Sequence, residues 1–407
     1  MFGSMTMSDV EFLIKWLETE VVPKVVDTLN KQYYKVKCTW SPVENVYFLS
    51  YVFFVDLTFI NELDIVEETL HLAIKTPPPF TEVIERFRTE ILYENEIIFY
   101  QHIAKNNKSF PKFYYGACED MKKTVIVMEN ICKMGFKLCP ELYDIPLKYI
   151  INSVREIGRF HAMGYIMKER SPEQFITVCK SIQESRLIPG KSFHHIINTI
   201  GTRPVEWLRK INYDSDFCDK MDNYLGDAFN TILLDAIKPV EPLAVLCHGD
   251  FTRSNIFFRE TSNGVDAMLI DFGMITYASP SIDLSTLLYL NGSSNDRKEK
   301  FHEIFRAYHD SMFNYFHEAK FTNIKQYSFD NMVKDYKRHA AYGFIIAVYF
   351  LPVLRGFCDS SQDSQHELHH EESMQTKRTM GGDVMSSIFA DMLVELRDTG
   401  CLDHVLN

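Results

Sequence analysis

Cys247-His248-Gly249-Asp250-Phe251-Thr252-Arg253-Ser254-Asn255-Ile256, followed after a gap by Met268-Leu269-Ile270-Asp271-Phe272-Gly273, is the stretch that decides how this chain folds. An apolar run, residues 243–247, leads into the first string, and residues 267–270 lead into the second. Each aspartate is therefore expected at the mouth of a buried strand. These residue types suit phosphoryl transfer from a nucleoside triphosphate. That reaction needs a carboxylate to orient and deprotonate the attacking hydroxyl, and oxygen ligands for the magnesium that neutralises the phosphates. Asp250 fits the first task; Asn255 and Asp271 fit the second. A lone His-Gly-Asp is a common turn, and Asp-Phe-Gly alone often ends a strand. Two such strings in this order, each on its own strand, make coincidence rare.

Length and composition bound the answer. A chain of 407 residues exceeds one core of average size, so two lobes are expected. Hydrophobic residues at 46% can fill them. A formal net charge of −12 argues against nucleic acid or an anionic membrane as partner. Nine cysteines without a CxxC pair read as reduced thiols, which places the chain in the cytoplasm. The first ten residues show no secretory pattern. The longest apolar run, 340–354, is too short to span a bilayer and carries Pro352, so it reads as a buried helix.

Helical spacing covers residues 8–30. Strand-like runs follow at 36–40, 46–59 and 69–75, and the proline cluster at 77–79 ends strand character. A helix is expected over 81–104, then strands at 113–117 and 124–128. Beyond residue 130 the pattern turns helical, at 147–163, 173–185, 221–238, 283–289, 298–320 and 330–354, with a β insert near 243–272. The polar stretch 359–382 is expected to be a flexible loop. Its His366-Glu367-Leu368-His369-His370 string is one residue short of a zinc-binding H-E-x-x-H, so its histidines would not share a helix face. The fold class is thus α+β: a five-stranded antiparallel N-terminal lobe with one main helix, residues 1–130, and a mostly helical C-terminal lobe, residues 131–407, in a bilobal protein-kinase-like arrangement.

In such a lobe Lys75, at the end of the third strand, would pair with the α- and β-phosphates of ATP, held by a glutamate of the following helix. Glu96 is chosen over Glu90 and Glu94 because Tyr93 and Phe99, three residues to either side, place it on the buried edge. An ordinary strand-end lysine and a solvated glutamate are the alternatives. Glu129 and Ile131, after a buried strand, would offer backbone hydrogen bonds to adenine. No glycine-rich phosphate loop precedes the second strand, so the phosphate cover would be looser, or made by the side chains of Asn45 and Ser50.

At this point the chain resembles the ecdysteroid kinase-like family, which is similar to choline kinases and aminoglycoside phosphotransferases within the protein-kinase-like fold. The matching residues are 45–50, Ile74-Lys75, 93–100, 127–131 with Gly135-Phe136, Phe160-His161-Ala162, the His248-Gly249-Asp250-Phe251 run with Asn255, Asp271-Phe272, 279–284, and a closing 396–402 segment. Gly273 and the glycine-free phosphate loop depart from the family pattern. The resemblance implies ATP- and magnesium-dependent phosphorylation of a hydroxyl on a small molecule, such as an ecdysteroid or a xenobiotic. It also implies that Asp283 braces the catalytic loop, the alternative being a plain first-turn aspartate at a helix dipole. His248 would fix that loop by hydrogen bonds. Arg253 would either touch the γ-phosphate or lie on the surface.

The residues point to small acceptors independently. Asp283 follows Asp271 by only twelve residues and already opens a helix, with Ser279 as N-cap and Pro280 in the first turn, so no room remains for a peptide-binding platform. Two rival readings stay open. One is a pseudokinase that binds nucleotide without turnover. The other is a choline- or aminoglycoside-type kinase for cationic acceptors.

Overall fold

The computed structural model describes residues 7–41, 46–47, 50–78, 88–105, 107–118, 123–262, 264–357 and 370–407; the described residues up to 136 form one compact unit and those from 137 onward a second.

In the first unit a leading helix runs as α1 (Met7–Trp16), a π-wound turn (Leu17–Val21) and α2 (Val22–Thr28). Its buried residues Leu17, Val21, Val22, Val25 and Val26 sit on Tyr51, Phe53, Val55, Leu57 and Phe59 of a long strand. That strand, β3 (Ser50–Ile60), alternates side chains between the two sheet faces, which is why every second residue joins this core. The sheet is antiparallel with strand order β1-β3-β4-β6-β5, where β1 is Lys35–Trp40, β4 Val66–Thr76, β5 Phe113–Ala117 and β6 Val125–Glu129. This is the five-stranded α+β layout expected. The run 46–59 is not one strand, however. A short β2 (Val46–Tyr47) folds back on β3 with Tyr47 opposite Ser50. The reversal carries no Gly, Pro, Asn or Asp signal, so periodicity alone could not reveal it. The helix expected over 81–104 is α3 (Thr89–Ile98) followed by a π-wound turn (Phe99–Ile103); residues 81–87 lie outside the described residues.

The second unit is mainly helical. Its long α4 (Leu147–Arg170) packs along α11 (Phe301–Glu318), and all ten residues of α9 (Ser281–Leu290) are buried against α13 (Ala341–Leu354). The close approach of α13 to α9 explains Gly343: a Cβ there would lie 2.1 Å from the backbone of Ser285. The remaining helices are α5 (Pro172–Ser181), α6 (Ser192–Gly201), α7 (Arg203–Lys210), α8 (Ser215–Gly226), α10 (Ser294–Lys298), α12 (Phe329–His339), α14 (His370–Thr379), α15 (Gly382–Asp398) and α16 (Asp403–Leu406). The single helices expected over 221–238 and 330–354 are each divided, the second at Ala340. The second half of the expected loop 359–382 is α14, a correction with a clear cause. Arg378 donates to the Thr199 carbonyl and the Glu206 carboxylate, and Thr199 Oγ1 lies 3.6 Å from Met374 Sδ. Polar anchors on neighbouring helices hold it, and composition does not show them. His366 and His369 lie outside the described residues.

Two small sheets carry the motifs. In one, β9 (Ile256–Thr261) pairs with β10 (Gly264–Leu269) and β7 (Lys137–Leu138); in the other, β8 (Val245–Cys247) pairs with β11 (Thr276–Ala278). All pairings are antiparallel.

Candidate active site

The apolar run 245–247 is fully buried as β8, and the chain must turn sharply as it leaves it. Gly249 makes the turn at φ 79°, in the left-handed region, and a Cβ there would stand 1.8 Å from the Met274 carbonyl oxygen. Only glycine fits both demands. Asp283, in the first turn of α9, fixes the same turn from below. Its carboxylate accepts hydrogen bonds from the backbone N–H of His248 (2.7 Å) and Gly249 (2.9 Å), while His161 Nε2 lies 3.1 Å away. His161 in turn contacts the Tyr308 hydroxyl through Nδ1 at 2.9 Å. His161, Cys247 and Asp283 bring donor atoms together in the interior. Asp283 is 1% exposed and already serves two backbone donors, so the cluster acts as a brace rather than a metal site.

His248 joins the two motifs. Its Nε2 lies 2.9 Å from the Ile270 carbonyl oxygen, and its Nδ1 accepts from the Asp250 N–H at 3.3 Å, which assigns the proton to Nε2. The imidazole also packs on Phe272, with ring centroids 4.6 Å apart. Asn255 joins them a second time. Its backbone oxygen accepts from the Ile270 N–H (3.1 Å), and its Nδ2 donates to both the backbone oxygen and Oδ2 of Asp250, each at 2.9 Å. Asp271 follows Ile270 directly, in the left-handed region at φ 63°, an uncommon conformation for a residue with a side chain. Asp250, Asn255 and Asp271 are thus brought to the adjoining ends of β8, β9 and β10.

The electrostatics follow from this crowding. The carboxyl of Asp250 is held above its ordinary value, first by burial; Asp271 pushes the same way, while Arg186, His248 and the Asn255 hydrogen bond oppose it. Arg253 points elsewhere. Its Nε donates to the Cys139 carbonyl at 2.7 Å, so it ties the loop to residues preceding α4. Ser279 Oγ accepts from the Ser281 N–H at 3.1 Å, but α9 begins at Ser281 with Pro280, not Ser279, at the N-cap position.

In the first unit, Lys75 and Glu96 meet. Lys75 projects from the sheet face opposite the leading helix, and its Nζ lies 2.7 Å from Glu96 Oε2 on α3. Glu96 is 1% exposed and the Lys75 side chain 13%, so the pair is mostly shielded from solvent. Ser50 points to that face as well, and its Oγ accepts from the Tyr93 hydroxyl at 3.0 Å. Glu129 ends β6, and Ile131 opens a short turn (Ile131–Met134) capped by the Asn130 side chain and closed by Gly135 at φ 88°. Asn45 lies outside the described residues.

Sequence reasoning missed two contributors. His161 was visible only as part of a matching string, and its bond to Asp283 is a contact 122 residues apart. Arg186, in the turn after α5, donates from Nη2 to the Gly249 carbonyl (3.2 Å) and places Nη1 4.0 Å from Asp250 Oδ1. No local pattern distinguishes that arginine from a surface one.

The arrangement presents one carboxylate with an amide and a second carboxylate beside it. That donor set can orient a nucleophile and hold a hard cation. The chain is similar to an ethanolamine kinase of Plasmodium vivax (13% identity, 97% of this chain and 92% of that one, TM-score 0.47). It is also similar to the GDP and kanamycin complex of APH(2")-IIia (12% identity, 89% and 98%, TM-score 0.40). A third likeness is to a microcompartment-associated aminopropanol kinase (10% identity, 92% and 98%, TM-score 0.36). No curated protein sequence matches the chain. The family model of the ecdysteroid kinase-like family matches residues 44–321, more than half of the chain. The chain belongs to the ecdysteroid kinase-like family.

Proposed function

We propose that this protein transfers the γ-phosphoryl group of ATP to a hydroxyl of a small, lipophilic molecule, an ecdysteroid-like or xenobiotic alcohol, with magnesium. The observation that carries the reading is Asn255, whose amide N–H groups hold Asp250 while its backbone holds the residue before Asp271. That amide leaves Asn255 Oδ1 without a hydrogen-bond donor among the described residues, available as a neutral oxygen ligand. Asn255 Oδ1 and the Asp271 carboxylate would hold magnesium, as oxygen donors of the kind that ion takes. When bound, the ion supplies charge neutralisation at the phosphates.

The chain's own residues do the rest. Lys75, kept straight by Glu96, binds the α- and β-phosphates. Asp250 accepts the proton of the acceptor hydroxyl as its oxygen bonds to the γ-phosphorus. The bond from that phosphorus to the β,γ-bridging oxygen breaks, and its electron pair leaves with ADP. Glu129 and Ile131 would offer backbone hydrogen bonds to adenine, with residues 1–130 as the ATP-binding portion and residues 131–407 as the catalytic and acceptor-binding portion. All eight described cysteines are free thiols, and among the described residues no helix is long and apolar enough to cross a membrane. The free thiols support a cytoplasmic site of action.

A screen with γ-labelled ATP against sterols, phenols, sugars and amino alcohols tests the reaction. Asp250→Asn is expected to lower transfer about 1,000-fold while ATP affinity, by calorimetry, stays within about three-fold, since Asp250 acts on the acceptor and not the nucleotide. Undiminished transfer in that variant would end the assignment.

A further inference from the structure

We propose that Arg186 is a further catalytic residue: its Nη1 donates a hydrogen bond to the acceptor hydroxyl that Asp250 deprotonates, so that one oxygen is held between the two side chains. The inference rests on the phosphotransfer reading above and assigns the acceptor's position within it.

Three observations carry it. First, the guanidinium is built into the catalytic loop rather than lying over it. Nη2 donates to the Gly249 carbonyl at 3.2 Å and to the Tyr342 hydroxyl at 2.9 Å, and the Phe193 ring centroid lies 6.0 Å from Cζ. With the side chain only 13% exposed, an arginine so anchored has little freedom. Second, its hydrogen-bonding capacity is unfinished. Nε is buried without a partner among the described residues, and Nη1 faces Asp250 Oδ1 at 4.0 Å, beyond hydrogen-bond reach. A buried guanidinium normally satisfies its donors, so an unfinished one beside a reactive carboxylate asks for a missing partner. Third, Asp250 is unfinished on the same side. Oδ2 takes the Asn255 amide, while Oδ1 accepts no hydrogen bond among the described residues.

The gap has a definite size. An oxygen about 2.8 Å from each of two atoms 4.0 Å apart subtends an angle of roughly 90° at itself, an accessible angle for a hydroxyl that donates to one neighbour and accepts from the other. One lone pair is then left for phosphorus. The carboxylate removes the proton, and the guanidinium fixes which lone pair attacks and balances the charge that grows on the oxygen. A direct Arg186–Asp250 hydrogen bond would close this space; the ion pair at 4.0 Å keeps it open.

Water serves as the probe acceptor, read as inorganic phosphate released from ATP, alongside any alcohol found in the acceptor screen. Arg186→Met is expected to lower kcat about 100-fold, the cost of a misplaced nucleophile, with ATP affinity by calorimetry within about two-fold. Arg186→Ala should regain part of its rate when guanidinium is added at tens of millimolar, which a merely unfolded or loosened loop would not do. In the Asp250→Asn background the Arg186 substitution should add little, because both side chains act on one oxygen. If Arg186→Met fails to fold, Arg186→Lys carries the same comparison: a lysine cannot serve Gly249, Tyr342 and the hydroxyl together, so kcat should still fall at least about ten-fold. Wild-type rates in the folded variants, or full additivity with Asp250→Asn, would overturn the role of Arg186 while leaving the kinase reading intact. Wild-type protein that binds ATP yet phosphorylates neither water nor any hydroxyl would overturn both.

Discussion

Replacing Asp283 by asparagine should both destabilise the second unit and stop turnover. The carboxylate is 1% exposed and accepts from His248 N–H at 2.7 Å and Gly249 N–H at 2.9 Å, with His161 Nε2 at 3.1 Å. Asparagine keeps one acceptor oxygen and turns the other into an NH2 group facing a donor. One buried charge-assisted hydrogen bond is lost and one backbone N–H is left facing another donor, for a cost of about 2–4 kcal/mol. With a urea m-value of about 3 kcal/mol/M, the unfolding midpoint should fall by about 1 M. Trp207 lies in the second unit and the other two tryptophans, Trp16 and Trp40, lie in the first. Its fluorescence in a Trp16→Phe, Trp40→Phe background therefore reports this unit alone. Turnover should fall about 100-fold or more, because the turn that presents Asp250 is no longer pinned. A midpoint within about 0.2 M of the parent, together with kcat within about two-fold, would show that Asp283 is only a first-turn aspartate at a helix dipole, worth about 0.3–1 kcal/mol.

Gly249→Ala meets two obstacles at once, a φ of 79° and a Cβ 1.8 Å from the Met274 oxygen, so a loss of about 3 kcal/mol or more and of all activity is expected by urea unfolding and phosphate release. Asp271→Ala should remove the magnesium dependence of nucleotide binding, read by calorimetry with and without the ion; unchanged magnesium dependence would sink its role. Glu156 on α4 gives a pH test. Burial pushes its carboxyl up to about 7 from the ordinary 4.5, against the partial pull of Arg159. A raised carboxyl favours the folded state while protonated, so its contribution is complete below about 4.5 and is lost as pH climbs through about 7, some 3 kcal/mol in all. Glu156→Gln should equal the parent near pH 4 and exceed it by about 2–3 kcal/mol at pH 8; identical pH–stability curves would refute this.

What was legible in the sequence is what local chemistry determines. The strands of the first unit were readable because β-branched and aromatic residues alternate along them, as Tyr51, Phe53, Val55, Leu57 and Phe59 do. The strings holding Asp250, Asn255 and Asp271 were readable because their spacing is short. The reversal between Tyr47 and Ser50 was not, since nothing in its composition marks a turn. Helix α14 escaped because its anchors, Thr199 and Glu206, are more than 170 residues away along the chain. Arg186 escaped for the same reason: its partners Gly249 and Tyr342 are 63 and 156 residues distant. Long-range polar contacts leave no periodicity behind.

The site separates the groups that react from the groups that hold them, and the two kinds should respond to substitution in opposite ways. His248, Asn255 and Asp283 are 0%, 7% and 1% exposed, whereas the Asp250 side chain keeps about a third of its surface open (34%). The holders each have hydrogen-bond partners that favour the folded loop. Asp250 differs, because burial and the charge of Asp271 raise its carboxyl, so its ionised form opposes folding at neutral pH. Asp250→Asn removes that opposition while an amide oxygen can still accept from Asn255, so the variant should be at least as stable as the parent at pH 7. Asp283→Asn should be less stable under identical conditions. Both lose turnover, and only the sign of the stability change tells them apart. If Asp250→Asn unfolds as early as Asp283→Asn, then Asp250 is part of the scaffold, and the carboxylate that meets the acceptor must be sought elsewhere.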